Sequence, residues 1–393
     1  MNSYILLIIL SLVLIISYFF NYIQRKWQIS AVILLVLTGV IFQLIVSHLA
    51  IPLVISENYL RVFGTLGLLI IVLEAVVDLE IHQANYRLLL QACFMAFLIV
   101  CGTGLLVAMG FSLAYNLPWH QAIIYALPLA IISSAIVIPS VGHLNGTTKE
   151  FLILESIFSD IIGVLLFNFM ISSAQLDWLN LGKFSLNFWL MIVISLITTL
   201  VLGIILSRDK VKNLHIVILA VLVLVYSVAH YFHLSALLLI LIFGVFLRNL
   251  DRIINTRIGL DLFANYLNSV VIHKNLHSFQ ELVEDLGFMV RSVFFILLGY
   301  SIKFNQLLNW SVLLFGIMSL TAIYAVRWLV LRWVLDNTEL NLATMMAPRG
   351  LITVLLFFQI PDVFQNNAID TGVTFFVVII SGLIMTSGLL RNR

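Results

Sequence analysis

Runs of about 20 apolar residues follow one another along almost the whole chain, separated only by short polar breaks, and they dictate its class. One helix needs roughly 20 such residues to cross a hydrocarbon core. Reading runs against breaks gives spans near 4–23, 28–49, 60–81, 88–115, 121–141, 151–172 and 186–207. They continue near 214–232, 234–249, 284–302, 311–334, 341–360 and 371–390. The span at 234–249 is short and the break before it, His230 to Ser235, is weak, so a count of twelve competes with thirteen. Of 393 residues, 62% are hydrophobic and only 10% charged. An average soluble domain is nearer ~25% charged, so a water-soluble globular protein is excluded. No stretch is left for a soluble catalytic or nucleotide-binding domain. The expected class is an all-α polytopic membrane protein whose residues 1–393 form one transmembrane domain.

The net charge of +2 carries no nucleic-acid signal, because no basic run is long enough. Cys93 and Cys101 both fall in an apolar stretch, which predicts neither a disulfide framework nor a metal-ligand spacing. The first run, Tyr4 to Ile23, lacks a basic leader and a small-residue cleavage site and reads as a span. With the amino terminus outside, fourteen Lys and Arg fall in cytoplasmic segments, and only Arg61, Lys183 and Lys303 fall outside. That bias follows the positive-inside rule. It selects thirteen spans, with the amino terminus out and the carboxyl terminus in. Residues 250–283, the longest hydrophilic connection, mix Leu276, Phe279 and Leu282 with Glu281 and Glu284. They read as an amphipathic interfacial helix linking two halves. A compact chain without a targeting segment is expected in a bacterial inner membrane.

An ionisable group inside a span costs roughly 2.5–3.5 kcal/mol, so each needs a partner or a function. Glu74, Glu155, Asp160 and Arg349 lie deep in their runs, and Arg291 and Arg327 are also within spans. Glu155 and Asp160 share LESIFSDIIGVLLF, and five residues at 100° each put them on different sides of one helix. Ser156 shares a face with Asp160, and Ser159 with Glu155. A hard monovalent cation wants such carboxylate–hydroxyl clusters. In low dielectric the charged carboxylate is disfavoured unless a cation accompanies it, so cation and proton compete for it. The competing reading makes Asp160 a hydrogen bond between helices. Arg349 cannot lose its proton and needs an anion, and Glu155 is the expected partner in an architectural pair. LAIISSAIVIP runs from Leu129 to Pro139, with Ser133 and Ser134 at its centre and Pro128 just before it. It suits either a broken helix lining an ion site or a kinked span whose serines bond back to carbonyls. Glu74 reads equally as a pathway carboxylate or as the partner of Arg291 or Arg327. No His forms an HxxxH or HExxH pair, and no phosphate loop or Ser/His/Asp arrangement occurs. Transport is favoured over enzymatic chemistry.

These segments together resemble the sodium/proton exchanger (monovalent cation/proton antiporter) superfamily, closest to its NhaP/NHE-like branch. LESIFSDIIGVLLF resembles the ESxxND signature, with Glu155 and Ser156 at ES and Ser159 and Asp160 at ND. APRGLITVLLF resembles its late-span RG motif at Arg349–Gly350, while LEAVVDLEI and FFILLGYSI resemble two further segments. The likeness covers the transmembrane unit, and no long cytoplasmic tail of the kind some relatives carry is expected after Arg393. The resemblance implies a homodimer with elevator-like alternating access and two crossing broken helices. It implies a core bundle including about 88–172 and 284–360, with the remaining spans in a dimerisation bundle. It also implies that Asp160 carries ion and proton by turns, with Ser156 as a cation ligand and Glu155–Arg349 as a structural pair. Where the family has TDPVAV this chain reads SSAIVI, so Ser133 and Ser134 replace Thr–Asp and Ser159 replaces Asn. The helix break is expected to move to Pro139. The expected function is antiport of Na⁺, Li⁺ or K⁺ against H⁺, electroneutral, with no cofactor. The alternatives are an uncoupled or altered-substrate transporter on the same fold, or a non-transporting membrane sensor.

Overall fold

Deprived of water, a backbone N–H or C=O must find its partner within the protein, and a helix supplies that partner along its own axis. The computed structural model describes residues 3–27, 31–48, 67, 69–74, 86–141, 144, 146–172, 178–206, 213–231, 236–248, 269–301, 309–366 and 369–391. Among these the elements are helical throughout. They are α1 (Ser3–Trp27), α2 (Ala31–His48), α3 (Tyr86–Tyr115), α4 (Trp119–Ala130), α5 (Ser134–Ser140), α6 (Thr147–Ser172) and α7 (Trp178–Leu206). The chain continues through α8 (Leu214–Tyr231), α9 (Ala236–Arg248), α10 (Ser269–Ser301), α11 (Trp310–Leu331), α12 (Asn337–Met345), α13 (Leu351–Phe358) and α14 (Thr371–Arg391). Tyr86–Tyr115, Trp119–Ser140, Trp310–Leu331 and Thr371–Arg391 are long and apolar enough to cross a membrane. Shorter apolar helical stretches at Leu10–Ile23, Ala31–Val46, Trp189–Leu202 and Leu214–Ala229 fall on four more of the expected spans.

The chain divides into two compact units. One comprises Met1–Leu66, Arg87–Ile171 and Met289–Arg393, and the other Gly67–Tyr86 and Ser172–Phe288. In the second unit α8 and α9 are separate helices packed against each other, and α9 also packs on α7. Most of the expected third span lies outside the described residues, as do 250–268 of the expected linker. The rest of that linker, 269–283, is the start of α10, which runs unbroken to Ser301. Gly287 does not interrupt it, since an isolated glycine weakens a helix without ending it.

The first unit holds the features that place the site. Two of its spans are broken. α4 stops at Ala130, Ile131 to Ser133 are extended, and α5 resumes at Ser134. α12 stops at Met345 and α13 begins at Leu351. The two breaks face each other, with the Ser133 N–H donating to Pro348 O at 3.0 Å. The break therefore does not move to Pro139, which lies inside α5. Its position is set by acceptors waiting opposite Ile132, Ser133 and Ser134, not by a proline. A turn at Asp362–Phe364 ties the far end of the second broken helix to α4. Gln121 donates to Phe364 O at 2.7 Å, and the Asn366 N–H donates to the Tyr125 hydroxyl at 2.7 Å.

α2 crosses the end of α10 with no side chain between them. A Cβ built on Gly39 would lie 2.9 Å from Gly299 Cα, and one on Gly299 3.0 Å from Gly39 Cα, each closer still to a carbonyl oxygen. Small residues permit such backbone approach in membrane helices. Nearby, the Ser17 and Ser292 hydroxyls bond each other. Gly39→Val is expected to destabilise the protein by about 1–3 kcal/mol through overpacking. The thermal midpoint of purified protein in detergent measures this, and an unchanged midpoint would contradict so close a crossing.

Candidate functional site

α6 presents its two buried carboxylates to different neighbours, as the five-residue spacing predicts. Glu155 and Asp160 are both buried, at 1% and 3% exposure. Asp160 faces the first break, where its Oδ2 accepts the Ser134 N–H at 3.1 Å. The Ser134 side chain also interacts with this carboxylate. One residue earlier on α6, the Ser159 hydroxyl accepts the Ile132 N–H at 2.9 Å. Together with Pro348 O, these acceptors satisfy the backbone donors of Ile132, Ser133 and Ser134. An unmet donor at this depth would carry the full cost of its desolvation. Asp160 Oδ1 and the Ser133 hydroxyl are buried without a hydrogen-bond partner. Ser133 lies over Gly350, where an added Cβ would come within 2.5 Å of its Oγ. Glycine is therefore what lets the second break approach the first.

Glu155 does not pair with Arg349. Its carboxylate forms a two-pronged salt bridge with Arg327 of α11, through Nη1 to Oε1 and through Nη2 to Oε2 at 2.9 Å. Arg327 Nε donates to Ala343 O of α12 at 2.8 Å, so one side chain ties three helices together. The physical reason is geometric. Arg327 projects from a continuous helix, where its planar fork meets the carboxylate edge-on. Arg349 sits inside a break, where freed carbonyls compete for its donors. Its Nε donates to Leu129 O at 2.7 Å and its Nη1 to Ala347 O at 3.2 Å. It thereby caps the carbonyl end of α4 and braces its own break, while its charge acts on Glu155 and Asp160 without bonding either. Its backbone N–H donates to the Ser381 hydroxyl of α14 at 2.9 Å.

The structure thus brings Asp160, Ser133, Ser134 and Ser159 together at the crossing. The Ser156 hydroxyl donates instead to Ile153 O of its own helix at 2.8 Å. Glu74 belongs to the other unit, where its carboxylate packs over Gly287. Sequence reasoning missed Ser381 and the role of Arg327. Arg327 carried a signal, a spare charge inside an apolar run, whereas one serine among many in spans carried none.

The sequence model described as sodium/hydrogen exchanger, transmembrane, matches residues 8–391. The fold is similar to that of the sodium proton antiporter MjNhaP1 from Methanocaldococcus jannaschii at pH 8. That likeness has a TM-score of 0.72 at 20% identity and covers 99% of this chain and 96% of that one. A second structure of MjNhaP1, from electron microscopy, matches with a TM-score of 0.67 at 18% identity, covering 100% and 96%. A search of curated proteins finds no match.

The two arginines should respond differently to removal of charge. Arg327→Gln strands the buried Glu155 carboxylate and is expected to cost about 3–5 kcal/mol. Arg349→Gln strands only carbonyl groups and is expected to cost less, about 1–3 kcal/mol. Thermal midpoints of the purified variants give the order. The reverse order would mean that Glu155 depends on Arg349 after all.

Proposed function

The chain belongs to the sodium/hydrogen exchanger family, and we propose that in it Asp160 carries the transported monovalent cation and the proton by turns. It is an integral membrane protein with the fold of a cation/proton antiporter. The observation that carries the proposal is the position of Asp160 at the crossing of two broken helices. One of its oxygens is held by a backbone N–H and the other is buried without a partner. Backbone irregularity at membrane depth is tolerated where it is buried in protein or lines a cavity, and transporters build their ion sites there.

In this mechanism the Oδ2–Ser134 N–H bond persists in every state, since both a carboxylate and a carboxylic acid can accept there. Oδ1 is the atom that exchanges a proton for Na⁺, Li⁺ or K⁺, and the buried, unpartnered Ser133 hydroxyl at the same break is the neutral oxygen proposed to join it on the cation. Ser134, Ser159 and Ser156 contribute by holding the break and the shape of α6. One proton released per monovalent cation bound makes the exchange electroneutral. The other buried carboxylate of α6, Glu155, is closed off by its pair with Arg327. We further propose a homodimer with elevator-like movement. Its core bundle would include about 88–172 and 284–360 and its remaining spans would dimerise. The amino terminus would lie outside a bacterial inner membrane and the carboxyl terminus inside, as the distribution of Lys and Arg supports.

Asp160→Asn retains the shape and the acceptor for Ser134 but cannot exchange a proton. Cation-driven proton flux in proteoliposomes should fall to the level of empty vesicles, with the thermal midpoint preserved. Persisting exchange would refute the mechanism. Ser134→Asp adds a second carboxylate where the Ser134 side chain already meets Asp160. Opposite charge at close range strengthens cation binding, so the apparent cation affinity should rise at a given pH. Affinity equal to wild type would place Ser134 outside the ion's reach.

A further inference from the structure

Glycine in the middle of a helix weakens it, so a buried glycine in an unbroken helix calls for a reason. Gly163 is such a residue, buried within α6. At 100° per residue it lies between Ser159 and Asp160 on the helix surface, about 40° from the first and about 60° from the second. Its neighbour is the first break. A Cβ built on Gly163 would overlap Cγ1 and Cδ1 of Ile131 and lie 3.4 Å from the Ile131 Cβ. Ile131 is the first extended residue after α4 and is fully buried. Its side chain fills the gap left by the missing Cβ, on the side of α6 that also receives the Ile132 and Ser134 N–H groups. Gly110 differs, because an added Cβ there meets the flexible thioether end of Met318. Ile131 is branched at Cβ and stiff.

We propose that Gly163 is a positioning residue that sets cation selectivity, by fixing how deeply the first break seats against α6 beside Asp160; the proposal rests on the reading of Asp160 and Ser133 given above. In that reading the cation is shared by an oxygen carried on α6, Asp160 Oδ1, and one carried by the break, Ser133 Oγ. The separation of the two elements then fixes the span between those oxygens, and with it the size of ion they fit. Three contacts set that separation. The Ile132 N–H reaches Ser159 Oγ at 2.9 Å, the Ser134 N–H reaches Asp160 Oδ2 at 3.1 Å, and Ile131 fills the gap at Gly163. The two hydrogen bonds limit how far the elements can part, and the backbone floor beneath Ile131 limits how closely they approach. A methyl group on residue 163 raises that floor. Ile131 is buried and stiff at Cβ, so it passes the displacement to the backbone that carries Ser133 and Ser134. The break then stands farther from Asp160, and the site fits a larger cation.

Purified full-length protein in proteoliposomes gives the apparent KM for Li⁺, Na⁺ and K⁺ from cation-driven proton flux. For a cation that is not transported, competition with one that is gives the same quantity. Gly163→Ala should lower the ratio of the KM for K⁺ to the KM for Li⁺ by roughly tenfold, since displacing positioned groups by about 1 Å carries effects of that order or larger. Ile131→Ala removes both atoms that meet the added methyl, so Gly163→Ala/Ile131→Ala should return the ratio to that of wild type. Where Gly163→Ala does not fold, Gly163→Ala/Ile131→Val removes the Cδ1 overlap alone and should shift the ratio in the same direction by less. A merely structural loss would instead lower the flux with all three cations alike. An unchanged ratio, a shift toward Li⁺, or a ratio that Gly163→Ala/Ile131→Ala does not restore would overturn the proposal. Asp160→Asn separates the two readings. If it abolishes the flux while Gly163→Ala leaves the ratio unchanged, only the role of Gly163 falls. If Asp160→Asn itself retains the flux, the cation site is not at Asp160 and both fall.

Discussion

A helix interrupted inside hydrocarbon leaves backbone donors that water cannot reach, and the rest of this structure is arranged around meeting that need. The N–H groups of Ile132, Ser133 and Ser134 go to Ser159 Oγ, Pro348 O and Asp160 Oδ2. Two of these acceptors are neighbours on α6, and the third belongs to the opposite break. The break, its crossing partner and the buried acid are therefore one construction. Asp160 is not an ion ligand added to a finished fold, since the carboxylate that would carry the ion also supplies a bond the first break needs. Replacing it by an apolar residue would confuse loss of transport with loss of structure, whereas an amide keeps the acceptor.

The two arginines divide the electrostatic work. Arg327 closes on Glu155 through both prongs, leaving a pair with little unmet charge, and its Nε reaches into α12. Such a bridge buried this deeply is not evidence of net stability, because desolvating both ions can offset their attraction. Its effect is positional, fixing α6, α11 and α12 in one register. Arg349 keeps its charge among carbonyl oxygens at the ends of broken helices, where their partial negative charge favours a cation. The break of α12 and α13 thus supplies the environment that the arginine within it requires.

Much of this was legible in the residues. Apolar runs gave the class and the approximate spans, and the cost of buried charge singled out α6 and Arg349 as important. The spacing of Glu155 and Asp160 showed that they address different neighbours. What the residues did not reveal was which neighbour. Arg327 and Arg349 have identical chemistry, and only the backbone around them separates them: carbonyls are free at a break and occupied along a helix. The location of the break was hidden for a related reason. Pro128 and Pro139 are visible breakers, yet both are accommodated inside helices, while the extended residues between them are held by partners distant in sequence. Ser381 illustrates the limit, because its role depends on meeting one backbone N–H of Arg349.

The same construction explains how the chain accommodates a neutral side chain at Ser134. The first break draws on the backbone N–H of Ser134, which any residue except proline supplies, so the side chain is free to change without disturbing the crossing. The change falls instead on charge. With Glu155 and Arg327 closed as a pair, Asp160 and Arg349 are the other two buried charges among the described residues. On the proposed mechanism, loading Asp160 with a proton or with a monovalent cation alters that balance by the same single unit. The two loaded forms then differ in the size and coordination of what they hold, not in net charge. A conformational step that tolerates one tolerates the other electrostatically, so discrimination between them must come from the geometry of the neutral oxygens around Asp160.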